Sequence, residues 1–111
     1  MSNYVVVTGT FINAAGQPNA GNVLFEMSDI CWDTSAPWVG VIAPVGVTLS
    51  TSGTLSVSLF AMDNAGVSGN WFWKCTITLS GIIYPARLLT VAYAAGATQD
   101  LSALLNTSKL A

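Results

Sequence analysis

The sequence predicts one all-β sandwich spanning residues 1–111, with about seven antiparallel strands and a short C-terminal helical turn. Three observations predict it. First, Trp71–Ser80 alternates without a fault: Trp71, Trp73, Cys75, Ile77 and Leu79 take one face, Phe72, Lys74, Thr76, Thr78 and Ser80 the other. A period of two marks a strand with one buried face. Second, residues 34–62 carry no charge, yet Val45, Val47, Leu49 and then Leu55, Val57, Leu59 alternate with small or polar residues. That is strand patterning, not the continuous apolar run of a membrane helix. Third, turn clusters recur about every ten residues.

In chain order, Tyr4–Ile12 is β-branched and aromatic and reads as the first strand. The cluster Asn13-Ala14-Ala15-Gly16-Gln17-Pro18 is a turn. Gly21–Ser28 follows as a strand with Val23, Phe25 and Met27 on one face, and Asp29–Pro37 reads as a loop holding Cys31, Trp32 and Asp33. Trp38–Ile42 is a short strand stopped by Pro44. Val45–Leu49 and Thr54–Phe60 flank the tight turn Ser50-Thr51-Ser52-Gly53 and read as a hairpin. Asp63–Asn70 is a loop, 71–80 the alternating strand, and Ser80-Gly81 a turn. Ile82–Tyr93 reads as a last strand in which Pro85 signals an edge position or a bulge. Asp100–Leu105 suits one helical turn with Asp100 as its N-cap.

Composition narrows the function classes. Hydrophobic residues make up 52% and charged residues 7%, against about 25% charged in an ordinary soluble domain. So few charges protect a lone monomer weakly against association, and part of the surface is expected to be covered by a partner or by copies of the chain. Lys74, Arg87 and Lys109 are scattered singly, leaving no basic stripe for nucleic acid and no polybasic segment for anionic lipid. The start, Met1-Ser2-Asn3-Tyr4, lacks the positive region of a signal peptide, so synthesis in the cytoplasm is expected.

Residues suited to chemistry are sparse. No histidine is present and the two cysteines, Cys31 and Cys75, lack metal-ligand spacing, so neither a metal nor another cofactor is expected. Both cysteines read as reduced packing residues. Ser and Thr hydroxyls have no histidine to activate them, and the carboxylates Glu26, Asp29, Asp33, Asp63 and Asp100 read as solvated turn residues rather than an acid–base pair. No enzymatic role is expected. The aromatics are more informative. Trp71 and Trp73 share a phase with Ile77 and Leu79 and belong to the core. Trp32 and Trp38 flank a loop and a strand start, open to local packing, to a protein interface or to sugar stacking. Trp32, Trp38, Asp33 and Phe72 are the candidate interface residues.

The opening Val7-Thr8-Gly9-Thr10-Phe11, followed by Gly16-Gln17-Pro18-Asn19-Ala20-Gly21-Asn22-Val23-Leu24-Phe25, resembles the start of Ig-like, prealbumin-type β-sandwich modules. Similar modules occur in carboxypeptidase-regulatory-like domains and in bacteriophage tail and capsid-surface proteins, especially of actinobacterial phages. The phage type continues with a tryptophan-centred segment, a G-x-L-x-V-x-L strand and an acidic-Leu-x-x-Leu element. Here Trp38, Gly53–Leu59 and Asp100–Leu104 are similar. The short spacing from Cys31 to Trp38 sets the chain apart from a true immunoglobulin domain. Phage tail versions are usually one module of a longer polypeptide, whereas this sequence ends soon after the module. The resemblance therefore implies a small virion protein that decorates the capsid, binding the major capsid protein and copies of itself, a trimer being one such arrangement. A tail or baseplate module and a carbohydrate-binding adhesion module are the alternatives.

Overall fold

The computed structural model describes residues 3–111, so the Met1-Ser2 start read for a signal peptide lies outside the described residues. Two sheets face each other, and a third, small sheet extends from one end. The first sheet holds β1 (Tyr4–Thr10), β6 (Thr54–Phe60) and β11 (Thr98–Asp100), in the order β11-β1-β6. The second holds β2 (Gly21–Met27), β5 (Val45–Thr48), β8 (Trp73–Leu79), β10 (Arg87–Leu89) and β12 (Lys109–Leu110), in the order β12-β10-β8-β2-β5. Here β9 (Ile82–Ile83) pairs additionally with β8. The small sheet holds β3 (Cys31–Asp33), β4 (Trp38–Gly40) and β7 (Val67–Ser68), in the order β4-β3-β7.

Register explains why alternation became burial. In the first sheet Val5 lies opposite Leu59, Val7 opposite Val57 and Gly9 opposite Leu55, so one face is apolar throughout. In the second, Val23 faces Ile77, Phe25 faces Cys75 and Met27 faces Trp73, with Leu89 on the far side of Trp73. These two faces close on each other to make the core, where Val5, Val7, Val23, Phe25, Trp73 and Leu89 are fully buried. The largest of them, Trp73, donates its indole N–H to the carbonyl of Phe60 on the opposing sheet, 2.9 Å away. Trp71, just ahead of β8, stacks edge-on against Trp73 at 5.7 Å and lies 6.4 Å from the Phe60 ring.

One flank of the sandwich is closed by α1 (Leu101–Asn106). Its N-cap Asp100 accepts from Ser102 N, as the sequence predicts. Leu101 and Leu104 are its buried residues. Gly9 permits this packing, because a Cβ there would stand 3.3 Å from the Leu101 Cβ. Arg87 ties the helix exit to β10 by donating from Nε to Ser108 Oγ at 2.6 Å.

The structure corrects several expectations. Val45–Leu49 and Thr54–Phe60 are not a hairpin: β5 pairs with β2 and β6 with β1, so the turn between them carries the chain from one sheet to the other. Ser50 holds that turn, accepting Gly53 N on its carbonyl and Thr54 N on its hydroxyl. Gly53 sits at φ +74°, where a Cβ would also strike the Phe11 carbonyl. The segment 29–37 is not all loop, since it contains β3. The alternating strand starts at Trp73 rather than Trp71. Ile82–Tyr93 is broken after β9, because Pro85 cannot donate to a ladder. Pairing resumes in β10 and gives way to a 3₁₀ turn at Tyr93–Ala95. The sheets are not wholly antiparallel either, as β11 runs parallel to β1.

Because Trp73 fills the core and bonds across it, Trp73→Phe strands the Phe60 carbonyl, and the expected loss is about 1–3 kcal/mol from that group alone. Trp73→Ala adds a cavity and should cost about 3–5 kcal/mol. Urea unfolding monitored by circular dichroism checks both, and Trp73→Phe at wild-type stability would refute the clamp.

Candidate functional site

The small sheet lies at the end of the sandwich where β2 stops and β8 begins, on a molecule measuring 51 × 24 × 22 Å. β3 and β4 form a hairpin with Trp32 opposite Val39 and Asp33 opposite Trp38. Cys31 is fully buried beneath it and anchors it to the core. The hairpin turn is made by Asp33. Its Oδ1 accepts from Ser35 N at 2.9 Å, Ser35 Oγ at 2.8 Å and Ala36 N at 3.1 Å. This is an Asx turn, in which a short carboxylate replaces a backbone acceptor.

The outcome is an apolar tip. Trp32 and Trp38 are each more than a third exposed, and Val39 is 71% exposed. With Asp33, Thr34 and Pro37 they line an open groove of about 460 Å³. Ile30 and Val41, on either side of the hairpin, are exposed too. Residues 29–41 contain Asp29 and Asp33 and no cation, so the tip is both apolar and negative. Such a surface suits a partner that offers apolar side chains and hydrogen-bond donors or cations.

Of the four residues proposed from sequence, the structure brings Trp32, Trp38 and Asp33 together and leaves Phe72 out of the groove. The Phe72 backbone exchanges hydrogen bonds with Ser28, and Lys109 Nζ stands 4.9 Å over its ring. This packing satisfies Phe72 locally. Asp33 belongs to the site as the residue that shapes it. Val39 was not singled out from sequence, although its place one residue after Trp38 in an alternating strand made it a candidate for the face opposite.

The other ionisable groups are engaged elsewhere. Asp63 accepts from Tyr93 N at 2.7 Å and Ala94 N at 3.0 Å, holding the 3₁₀ turn. Glu26 faces Lys74 across the strands at 4.0 Å. Burial pushes the Cys75 thiol up to about 12, and burial also raises Cys31. Both cysteines are free, and neither is a thiolate at neutral pH. Among the described residues no cluster of three metal-ligating side chains occurs, and no helix is long and apolar enough to cross a membrane. Comparison with protein-family models, curated proteins and solved structures gives no match to this chain.

Three aspartates carry the acid sensitivity. Hydrogen bonds from Ala36 N and then Ser35 hold Asp33 below the ordinary carboxylate value of 3.8. Ala94 N and Tyr93 N do the same for Asp63, and the Ser102 hydroxyl and N–H for Asp100. A carboxyl with a lowered folded pKa binds fewer protons folded than unfolded. Its stabilisation is therefore present above the unfolded value and lost as pH falls through the folded one. Thermal stability should hold from neutrality to about pH 4 and fall below it. The double variant D33N/D100N keeps the Oδ1 acceptor of each of these two turns and removes their titration, whereas Asp63 accepts through both oxygens and has no amide equivalent. The double variant should flatten that fall, and an unchanged acid profile would refute the assignment.

Proposed function

We propose that this chain is a non-enzymatic virion protein that decorates and stabilises a bacteriophage capsid, docking through the Trp32–Trp38 tip. The observation that carries the docking reading is the exposure of Trp32, Trp38 and Val39 together at one end of an elongated sandwich. Removing such large apolar side chains from water is favourable, so exposed tryptophans on a hairpin are suited to be binding anchors. The non-enzymatic reading is supported by the engagement of Asp33, Asp63 and Asp100 in turns and caps, and by buried, protonated cysteines. The virion setting rests on the sequence resemblance alone.

Immunogold labelling of intact phage particles with antibody to this protein tests the setting. Label spread over the head supports decoration, label confined to the tail transfers the reading to a tail or baseplate module, and unlabelled virions remove it. The docking surface is tested by W32A/W38A. Loss of a central tryptophan anchor is worth about 2 kcal/mol or more, so particle-bound protein should drop at least about tenfold, and undiminished binding would overturn the tip.

Exposed tryptophan also suits stacking on a sugar ring, Trp38 sharing its face of the hairpin with Asp33 and Trp32 with Val39, which makes carbohydrate adhesion the second reading. Since Trp71 and Trp73 are buried, fluorescence quenching by polysaccharide would report on Trp32 and Trp38.

A further inference from the structure

Among the described residues β6 is an edge strand whose only partner is β1. It is seven residues long and has no charge and no proline, and no described strand covers it. Edges of that kind are usually blunted by lysine, proline or a bulge, because they pair with any complementary strand. The hydrogen-bond phase shows which groups are open. Ala61 N donates to the Asn3 carbonyl and Phe11 N to the Gly53 carbonyl, so odd-numbered residues from Gly53 to Ala61 bond toward β1. The N–H and C=O of Thr54, Ser56, Ser58 and Phe60 point away from it. Ser50 takes both groups of Thr54, and the Trp73 indole takes the carbonyl of Phe60. Ser56 and Ser58 keep both groups without a partner among the described residues, and their side chains are exposed.

We propose that the β6 edge binds a second copy of this chain, antiparallel, about a two-fold axis through Val57. That register sets Ser56 opposite the partner's Ser58 and Ser58 opposite the partner's Ser56, which closes four backbone hydrogen bonds with the groups left open. It also sets Leu55 opposite the partner's Leu59 and Val57 opposite its own copy, so the apolar face of each sheet continues into the other. A strand with no charge meets its own copy without repulsion, and the two-fold interface is self-complementary. This surface is separate from the Trp32–Trp38 tip, so either assignment can fail without the other.

Sedimentation velocity on the full chain should show a species of twice the 11.5 kDa monomer mass as concentration rises. The variant S56K/S58K places like charges directly opposite each other in this register. It should shift the dissociation constant upward at least about tenfold, with unchanged circular dichroism. Mixing it with S56D/S58D should restore a dimer that contains one of each. Hydrogen exchange on the wild type gives a reading free of mutation: the Ser56 and Ser58 amides should become protected as concentration rises. A monomer at every concentration, a lysine variant that dimerises like the wild type, or Ser56 and Ser58 amides that exchange freely in the dimer would each overturn the pairing. Protection that arises only on adding purified capsid protein would give the edge to a foreign strand, and overturns self-pairing too.

Discussion

The fold depends on Trp73. It is the largest fully buried side chain, it lies between Met27 and Leu89 in the ladder, and its N–H reaches the opposing sheet. Most of a sandwich core is held by non-directional burial, which fixes neither the spacing nor the sliding of two sheets. A hydrogen bond between them fixes both. It also satisfies the Phe60 carbonyl, which as an outward-pointing edge group would otherwise compete for a strand from outside. Trp71, Phe60 and Tyr4 extend the aromatic packing from this point toward the end that carries the small sheet. The Trp32–Trp38 hairpin therefore sits at the end of the sandwich where this aromatic packing lies.

The strands that were legible in the sequence are those whose own alternation decides their burial. β1, β2, β6 and β8 each have one face of Val, Leu, Phe or Trp, and each lies within the predicted range. What failed was pairing. The pattern of Val45–Leu49, turn, Leu55–Leu59 is the same whether the two strands pair or cross to opposite sheets, because each strand then still buries one face. The choice is made by residues far away, Val23 on one side and Val7 on the other. Short strands were hidden for another reason. β3 is a three-residue run that follows the turn former Asp29 and ends on another, Asp33, and β11 is Thr-Gln-Asp, with no apolar residue to mark a face. The placement of the candidate residues was partly legible. Tryptophan next to a turn placed Trp32 and Trp38 on one hairpin, whereas Phe72 lies apart from it, and no local signal shows that Lys109 would arrive over its ring.

The scarcity of charge acquires a meaning once the open surfaces are located. The two flanks of the sandwich are treated differently: α1 and Arg87 close one, whereas β5 and β6 end the two sheets on the other with no lysine or proline in either strand. At the tip, the hairpin shows tryptophan and valine with aspartate as the only charge. Ordinary monomers spend charges on such places to prevent association. Leaving them bare is consistent with surfaces whose role is to be covered.

The two proposed contacts also constrain each other. The Phe60 end of β6 is the end that bears the small sheet, since Trp73 reaches Phe60 and lies opposite Met27. An antiparallel pair of β6 strands therefore sends the two tryptophan tips in opposite directions. Such a dimer cannot stand upright on a surface with both tips engaged, but it can lie along the surface and touch two neighbouring subunits. The second tip then binds at the effective concentration set by the first, and the gain appears without any new contact. A rigid spacer with a binding end at each extremity is what cementing requires, because it resists the separation of the two sites it joins. The proposed dimerisation through β6 and the proposed docking through Trp32 and Trp38 are thus separable in experiment and would be cooperative in effect: a chain deprived of its edge pairing would keep one tip and coat a surface, but would have nothing with which to hold two sites together.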